Sequence, residues 1–293
     1  MVIVTGTKRS GTSMWMQILE AAGLPKIGQA FPKKWKETIA EANPQGFFES
    51  PLRRGICYQT NPHPVNGSYL PPQATRQVAV KVFIPGLCRT DLAYIDRVVA
   101  SVRHWREYAA SIERLYRMED EAADQRDDRE RPPPRLDPVL EWWLENYALI
   151  RNLVTRRYPA HLVTYDRVVD TPEETLPEIL DWLGADDTQA AIEAVSPDSR
   201  TQRRERIDRS HPHQDTFDEL YELVHDQGTL TQSFVEHLNE THQQLIPEIE
   251  KDRKRVFTAR RKRRRAQQSD SSDQSSPDVL NPDALESLIH KEQ

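Results

Sequence analysis

Cysteine is scarce in this sequence, and long apolar runs are absent from it. The two cysteines, Cys57 and Cys88, allow one disulfide but no disulfide framework. No apolar run reaches the length that a membrane-spanning helix needs, and no basic leader with an apolar stretch and a cleavage site precedes the first predicted strand. These absences predict a soluble cytoplasmic protein without a membrane span.

Apolar residues are also few, at 37% of the 293 residues, which suffices for a core if part of the chain lies outside it. Positive charge is unevenly spread, because residues 251–265 contain ten basic side chains and one acidic side chain. The rest of the chain has 30 basic and 45 acidic residues, a net charge of −15 within a total of −6. An acidic body argues against nucleic acid or a polyanionic acceptor as the main ligand.

Lysine is missing from one position of a phosphate-loop pattern. The stretch GTKRSGTS, residues 6–13, has the glycine spacing and the final hydroxyl of such a loop, but Thr12 stands where the motif has Lys. In a nucleoside triphosphatase that Lys reaches the β and γ phosphates, and the next hydroxyl holds Mg²⁺. No predicted strand ends in an Asp suited to the metal. A P-loop kinase or NTPase with a displaced Lys is therefore kept as an alternative.

The loop has the sequence context that phosphate binding requires. Residues 1–5 predict a short β-branched strand, and residues 12–22 predict a helix that Gly23 ends. Backbone N–H groups at such a turn converge on an anion, and the helix dipole adds positive charge. Anion binding is expected at the residues that supply amides, hydroxyls and positive charge: Gly6, Lys8, Arg9, Ser10, Gly11, Thr12 and Ser13.

The rest of the body alternates predicted strands with predicted helices. Further strands are expected at residues 78–84, 97–102 and 161–165. Helices are expected at residues 106–118, 137–157 and 172–183, the last capped by Thr171 and ended by Gly184. This alternation predicts an α/β fold, with a P-loop-like parallel sheet flanked by helices.

Composition separates three further segments. Residues 118–136 are charged and then Pro-rich, which predicts a surface excursion within an α/β domain of residues 1–205. Residues 206–268 predict a helical C-terminal extension with a basic end, with helices at 215–227 and 230–267. Residues 269–293 include a Ser- and Asp-rich stretch that is typical of a disordered acidic tail.

The run Arg9-Ser10-Gly11-Thr12-Ser13, between a strand and a helix, resembles the loop of sulfotransferases that use 3′-phosphoadenosine 5′-phosphosulfate (PAPS). The longer run VTGTKRSGTSMWMQILEAAGL, followed by ANPQGFFES at residues 42–50, is similar to a bacterial branch of that family. Members of the family often have Pro where Lys8 stands here. The resemblance extends over residues 1–205.

The resemblance implies a second phosphate site. In the family, an Arg at a strand end and a Ser eight residues later hold the 3′-phosphate, and Arg103 and Ser111 have that spacing. The local turn departs from the family, because His104 and Trp105 stand where Asp or Asn and then Pro are usual. Taken without the loop, Arg103 is a strand-end cation suited to a salt bridge.

A third match concerns the adenine. The run HLVTYDRVVDTPEETLPEILDWLG, residues 161–184, is similar to a family pattern in which a Tyr lies near the adenine. Tyr165 corresponds to that Tyr, with an ordinary core aromatic as the alternative. The family's C-terminal glycine-and-lysine loop is absent, and Arg200, Arg203 and Arg204 form either a local replacement for it or a solvated basic surface.

The family's reaction moves the sulfuryl group of PAPS to an acceptor oxygen or amine and releases adenosine 3′,5′-bisphosphate (PAP). Arg9 first, and Lys8 second, are expected to stabilise the charge that develops on the bridging oxygen. A sulfuryl group carries less charge than a phosphoryl group, so no metal is required. Glu49 is the candidate general base, with His63 and His104 as rivals. Alternatively, Glu49 is a structural carboxylate that pairs with a loop cation.

The acceptor stays open at this stage. Residues 25–76 either line its pocket or form a separate small core, and their aromatic side chains include Phe31, Trp35, Phe47, Phe48 and Tyr58. Carbohydrate, lipid, peptide and small alcohol all fit this pattern. A third hypothesis is an inactive nucleotide-binding scaffold. The basic run at residues 259–265 either contacts an anionic partner or is a solvated helix end.

Overall fold

The computed structural model describes residues 1–31, 43–58, 61, 68–125, 133–196 and 207–273. The predictions for Trp35, His63, Arg200, Arg203 and Arg204 fall outside these ranges. None of the helices within them offers the apolar length that crossing a bilayer requires.

Five parallel strands form one sheet. In chain order they are β1 (Val2–Gly6), β2 (Lys26–Ile27), β3 (Ala79–Lys81), β4 (Arg97–Val102) and β5 (Ala160–Thr164). Their order across the sheet is β2-β3-β1-β4-β5, which makes β1 the central strand. Every residue of β1 is buried, which explains why its sequence does not alternate between apolar and polar residues. Strand β2 was not predicted, because two residues carry no periodic signal.

Helices cover the sheet, and the described ranges contain nine of them. They are α1 (Thr12–Ala21), α2 (Ile84–Leu87), α3 (Trp105–Gln125), α4 (Pro138–Arg156), α5 (Tyr165–Asp170), α6 (Pro172–Leu183), α7 (Thr188–Glu193), α8 (Gln214–His225) and α9 (Gln232–Asp273). Short 3₁₀ turns occur at Pro51–Arg54, Pro72–Thr75 and Leu92–Tyr94. The α/β architecture predicted from the sequence is therefore confirmed.

Several helix boundaries follow from local chemistry. Helices α1, α4 and α6 begin and end within one residue of the predicted positions. Asp137 caps α4, because its carboxylate accepts from the N–H of Val139 at 2.8 Å. Thr171 precedes α6 as predicted, but its hydroxyl donates to the Arg167 carbonyl at 3.1 Å instead of capping the helix.

Several boundaries differ from the predictions. The strand expected at residues 78–84 ends at Lys81, and Ile84 already begins α2. Tyr165 begins α5 instead of ending a strand, because the Thr164 hydroxyl accepts from the N–H of Arg167 and caps that helix. Helix α3 continues to Gln125, into the segment predicted as an excursion, and α9 continues to Asp273, past the predicted start of the tail. Both extensions are polar but contain good helix formers, so they lack the apolar periodicity on which the prediction rested.

The two faces of β1 contribute to separate apolar clusters. Val2 and Val4 pack with residues of α1 and α6, whereas Ile3 packs with residues of α2 and α4. A third cluster joins α8 and α9 to α3 and α4, around Trp142 and Phe217. Since the sheet is parallel, the carboxyl ends of β1, β3 and β4 lie side by side, at the edge where α/β sheets usually bind ligands.

Candidate active site

The loop after β1 is shaped by two glycines. Gly6 has a φ of 151° and Gly11 a φ of 93°, values that residues with a Cβ rarely adopt. A Cβ on Gly6 would lie 2.5 Å from the carbonyl oxygen of Ser101 in β4. A Cβ on Gly11 would lie 2.7 Å from Cδ2 of Tyr165. The loop therefore fits closely against β4 on one side and against the Tyr165 ring on the other.

Hydrogen bonds fix the path of the loop. The Ser10 hydroxyl donates to the Thr7 carbonyl at 2.8 Å, and the Ser101 hydroxyl donates to the Ser10 carbonyl. Gly11 is the N-cap of α1, so no side chain satisfies the first N–H groups of this helix. Uncapped N–H groups at a helix N-terminus bind anions readily, and residues 12–14 supply them here.

We expect Gly11→Ala to destabilise the fold by about 2 kcal/mol more than Gly23→Ala. Both glycines have a positive φ, but a Cβ on Gly23 would meet no atom within 4 Å, whereas one on Gly11 would overlap the ring of Tyr165. Urea unfolding of the two variants measures the difference, and the shifted loop should also lose its anion site. Equal destabilisation would mean that Tyr165 does not pack against the loop.

Arg9 occupies a strained backbone position. Its φ is 66°, in the left-handed region that residues other than glycine seldom adopt. Its Nε donates to the hydroxyl of Ser111 at 3.2 Å. Burial, followed by the charge of Arg103, lowers the pKa of the Arg9 guanidinium to about 10, so it stays charged at neutral pH. Arg9 is part-buried and Arg103 is buried, and two neighbouring cations in such surroundings are costly unless a bound anion offsets their repulsion.

Arg103 follows β4, is only 5% exposed and lies directly beside Arg9. Its Nη1 donates to the Arg9 carbonyl at 3.1 Å, and its Nε donates to Oε2 of Glu107 at 3.3 Å. Its guanidinium carbon lies 4.7 Å from the centroid of the Tyr165 ring. The structure thus brings together four residues that the sequence analysis selected from distant positions: Arg9, Arg103, Ser111 and Tyr165.

Lys81, the last residue of β3, is a candidate site residue that the sequence analysis missed. It is level with Val4 in the pairing of β3 with β1, and it is 3% exposed. Its ammonium donates to the Ser13 hydroxyl at 3.2 Å and to the Phe47 carbonyl at 2.5 Å. Burial lowers the pKa of this ammonium to about 8, and the Glu49 carboxylate opposes the shift. The available signal was a Lys inside the apolar run VAVKVFI, since buried charges need a partner or a function.

Glu49 is held by two cations. Arg53 Nη1 donates to its Oε2, and Nζ of Lys81 lies 3.6 Å from its Oε1. The carboxylate is 8% exposed. These ion pairs agree with the alternative considered for Glu49, a structural carboxylate that pairs with a cation. Both cations, however, come from outside the loop. The general-base role of Glu49 stays a prediction.

Lys8 and His104 occupy different surroundings from Arg9. Lys8 is exposed, and its charge acts on Glu145 of α4. His104 is 2% exposed, with Nε2 3.0 Å from Asp218 of α8, while the amide of Arg106 donates to its Nδ1 at 3.3 Å. His104 is therefore held at the contact between the body and α8.

Within the described ranges, no three or more His, Cys, Asp or Glu side chains are grouped to hold a metal ion.

The aromatic side chains expected near the acceptor fall into two groups. Phe47 and Phe48 are buried, and Phe31 packs edge-on against Phe47 with ring centroids 6.3 Å apart. Tyr58 is 52% exposed, and its ring lies 5.4 Å from that of Tyr94, whose carbonyl accepts from the N-terminal ammonium. Tyr58 therefore lies at the amino end of the sheet, whereas Phe47 lies beside Lys81 at the carboxyl end.

Comparison with known proteins finds similarity to solved structures. No protein-family model and no curated protein matches the chain. The sulfotransferase domain from the curacin biosynthetic pathway shares 12% identity over 78% of this chain and 98% of its own, with a TM-score of 0.43. The sulfotransferase domain of the Synechococcus PCC 7002 olefin synthase shares 16% identity over 83% of this chain and 94% of its own, with a TM-score of 0.36. Mouse sulfotransferase SULT7A1 complexed with PAP shares 12% identity over 83% of this chain and 88% of its own, with a TM-score of 0.39. These three structures are sulfotransferases, and likeness at this level identifies neither a donor nor an acceptor for this chain.

Proposed function

We propose that this protein is a sulfotransferase that moves the sulfuryl group of PAPS to a hydroxyl or amine of an acceptor and leaves PAP. The observation that carries the proposal is the adjacency of two anion-binding elements. One is the loop with the uncapped N–H groups of α1, and the other is the pair Arg9 and Arg103 with Ser111. A donor with a 5′-phosphosulfate and a separate 3′-phosphate matches two such elements.

Each of the two elements is expected to bind a different part of the donor. Residues 6–13 bind the 5′-phosphosulfate, and Arg103 with Ser111 binds the 3′-phosphate. Arg9 connects the two, because its carbonyl accepts from Arg103 and its side chain donates to Ser111. Tyr165 lies against both Gly11 and Arg103, which supports a contact with the adenine.

Sulfuryl transfer needs positive charge above all near the oxygen that bridges sulfur and the 5′-phosphate. The acceptor oxygen or nitrogen bonds to sulfur while the bond from sulfur to the bridging oxygen breaks, and that electron pair stays on the 5′-phosphate of PAP. Cations already fixed near the bridging oxygen stabilise this charge without reorganisation. Beside the loop, Lys81 is buried and Arg9 is part-buried, whereas Lys8 is exposed.

A P-loop kinase or NTPase is the second candidate, and one contact favours it. Lys81 reaches Ser13 from the neighbouring strand, close to where the motif's own Lys would act. However, the Ser13 hydroxyl donates to the Phe47 carbonyl at 3.2 Å while it accepts from Lys81. A P-loop enzyme uses that hydroxyl as a ligand of Mg²⁺. These hydrogen bonds favour a donor that needs no metal at Ser13.

Ligand preference separates the candidate functions. We expect PAP to bind without metal, and to bind at least about tenfold more tightly than 5′-AMP, because only PAP offers a 3′-phosphate to Arg103. Calorimetric titrations with PAP, 5′-AMP, ADP and ATP·Mg²⁺ measure this preference. Tighter binding of ATP·Mg²⁺ would refute the sulfotransferase and favour the kinase. If none of the four binds, the inactive scaffold is the better hypothesis.

The remaining partners follow from the surroundings of the site. We infer that the acceptor is a small molecule or the reactive end of a glycan or lipid, since the buried Phe47 lies beside Lys81.

The basic residues 251–265 lie on α9, where Arg255 and Arg260 donate to carbonyls of residues 134–135 and most of the others are exposed. We propose an anionic partner for this surface. The two free cysteines are compatible with a cytoplasmic location.

A further inference from the structure

Helix α8, in the C-terminal extension, contacts the turn that follows β4. One oxygen of Asp218 accepts from the indole N–H of Trp105 at 2.6 Å and lies 3.0 Å from Nε2 of His104. The other oxygen lies 3.6 Å from Nη1 of Arg106. Three consecutive side chains thus meet at one carboxylate. They come directly after Arg103, the cation proposed for the 3′-phosphate.

The groups that meet Asp218 are mostly buried, which distinguishes this contact from a surface ion pair. An exposed ion pair contributes little to stability, but Trp105 is fully buried and His104 is 2% exposed. The amide of Arg106 donates to Nδ1 of His104 at 3.3 Å, so the ring proton is on Nε2, which faces Asp218. Buried N–H groups that lose their acceptor destabilise the conformation that buries them. We therefore expect the turn to rearrange if the carboxylate is removed.

Asp218 acts on Arg103 through the start of α3. This helix begins at Trp105, and Glu107 in its first turn accepts from Nε of Arg103 at 3.3 Å. A shift of the helix start would move the carboxylate that orients the guanidinium. Proline at the first helical position presets φ, and the family that the sequence resembles usually has it there, whereas this chain has Trp105. The conformation of the turn therefore depends on its contact with α8.

The same face of α8 also contacts the segment that carries Tyr165. Tyr221, one helical turn after the carboxylate, donates to Oδ2 of Asp166 at 2.6 Å, and both side chains are buried. Nδ1 of His225, four residues further, lies 3.0 Å from the Thr164 hydroxyl. Spacings of three and four residues place these side chains on one helical face. Tyr165 therefore lies between two residues that α8 contacts.

We propose that Asp218 is a positioning residue for Arg103, and so for the 3′-phosphate of the donor, a role that rests on the function proposed above. The carboxylate holds the turn after β4, the turn fixes the start of α3, and together they orient the Arg103 guanidinium. Tyr221 holds Asp166 and so positions the ring of Tyr165 for the adenine. The C-terminal extension thus acts on the nucleotide site through residues that it contacts.

The two α8 residues have different expected effects on ligand affinity, which separates positioning from general destabilisation. PAP and 5′-AMP share the adenine, but only PAP has a 3′-phosphate. Asp218→Ala should weaken PAP binding about tenfold and change 5′-AMP binding less than about twofold. Tyr221→Phe should weaken the binding of both ligands by a similar factor, because it acts on the part that they share. Loss of stability alone would not produce this contrast.

The experiment uses the full chain and calorimetric titrations with PAP and 5′-AMP, with 5′-AMP measured by displacement. Asp215→Ala removes an exposed carboxylate from the same helix and is the matched control, which should leave both affinities unchanged. Failure of the wild-type protein to bind PAP refutes the sulfotransferase function, and the role of Asp218 with it. If PAP binds, wild-type PAP affinity in Asp218→Ala, or an equal loss for both ligands, would overturn only the positioning role.

A double-mutant cycle tests whether Asp218 acts through Arg103. In a protein that already carries Arg103→Met and Glu107→Leu, Asp218→Ala should weaken PAP binding by less than about twofold, because no guanidinium is left to position. A further tenfold loss would mean that Asp218 acts elsewhere. If Asp218→Ala does not fold, Asp218→Asn replaces it, since the amide keeps an oxygen acceptor for the N–H of Trp105. This variant should lower the ratio of PAP to 5′-AMP affinity about threefold, and an unchanged ratio would overturn the role.

Discussion

Arg103→Ala is expected to reduce PAP binding by a hundredfold or more, about 3 kcal/mol, and to destabilise the fold by about 3–5 kcal/mol. The binding loss follows from removal of the cation proposed for the 3′-phosphate. The stability loss follows from Glu107, which is fully buried and accepts from Arg103 at 3.3 Å. Truncation removes this ion pair but leaves the carboxylate inside. Calorimetry with PAP and urea unfolding measure the two losses.

A double variant separates binding from stability. Arg103→Met combined with Glu107→Leu replaces the buried ion pair by apolar side chains of similar size, which is often neutral or stabilising. We expect it to recover most of the stability and none of the PAP affinity. Arg76→Ala, an exposed position, is the matched control for loss of a positive charge. Wild-type PAP affinity in the double variant would remove Arg103 from the proposed site.

Arg9→Ala should weaken PAP binding and should destabilise the fold less than Arg103→Ala does. Among the residues that the structure describes, the Arg9 side chain makes one hydrogen bond, to Ser111, and its pKa is lowered by burial and by Arg103. Removing it relieves that repulsion in the free protein but takes a cation from the bound anion. We therefore expect PAP to bind at least about tenfold more weakly, while Tm changes little.

Lys81→Met is expected to lower kcat by about a hundredfold or more, because it removes a buried cation next to the loop. The ammonium donates to Ser13 and to the Phe47 carbonyl, so it is fixed in place before the donor binds. Steady-state kinetics with radiolabelled PAPS measure the loss. Lys251→Met, at an exposed position of α9, is the matched control. A Lys81→Met protein with full turnover would exclude this ammonium from the chemistry.

The pH dependence gives a second test of Lys81. Its folded-state pKa, about 8, lies below the ordinary value of 10.5, so the ammonium loses its proton as the pH rises through about 8. If the charged form acts, kcat/KM should fall above that pH, and Lys81→Arg should remove the falling limb because a guanidinium stays charged. The same shift predicts that wild-type stability rises between about pH 8 and the unfolded pKa, since the unfolded chain then binds more protons.

Much of the fold could be predicted because its signals are local. The buried run VIVTG, the glycines of the loop and the apolar face of α1 each act within a few residues, and the structure has the elements that they predict. Arg103 and Ser111 could be selected because their spacing of eight residues matches the pattern of the family that the sequence resembles. The long polar ends of α3 and α9 were not predicted, because helix propensity without apolar periodicity is a weak signal.

The partners of the site residues could not be predicted, because they depend on which elements are neighbours. The pairing of β3 with β1 sets Lys81 level with Val4 and close to Ser13, 68 positions away in the sequence. Nothing within a few residues of Lys81 encodes these contacts.

The sequence by itself determined the cradle: its glycines, its hydroxyls, and the strand and helix that hold them, because backbone conformation there follows from nearby residues. It also determined that the cradle lacks the usual Lys at Thr12. Only the tertiary structure decided which cations surround it. Arg103 follows β4, and Lys81 ends β3, since parallel strands end at one edge of the sheet and bring distant side chains to the same loop.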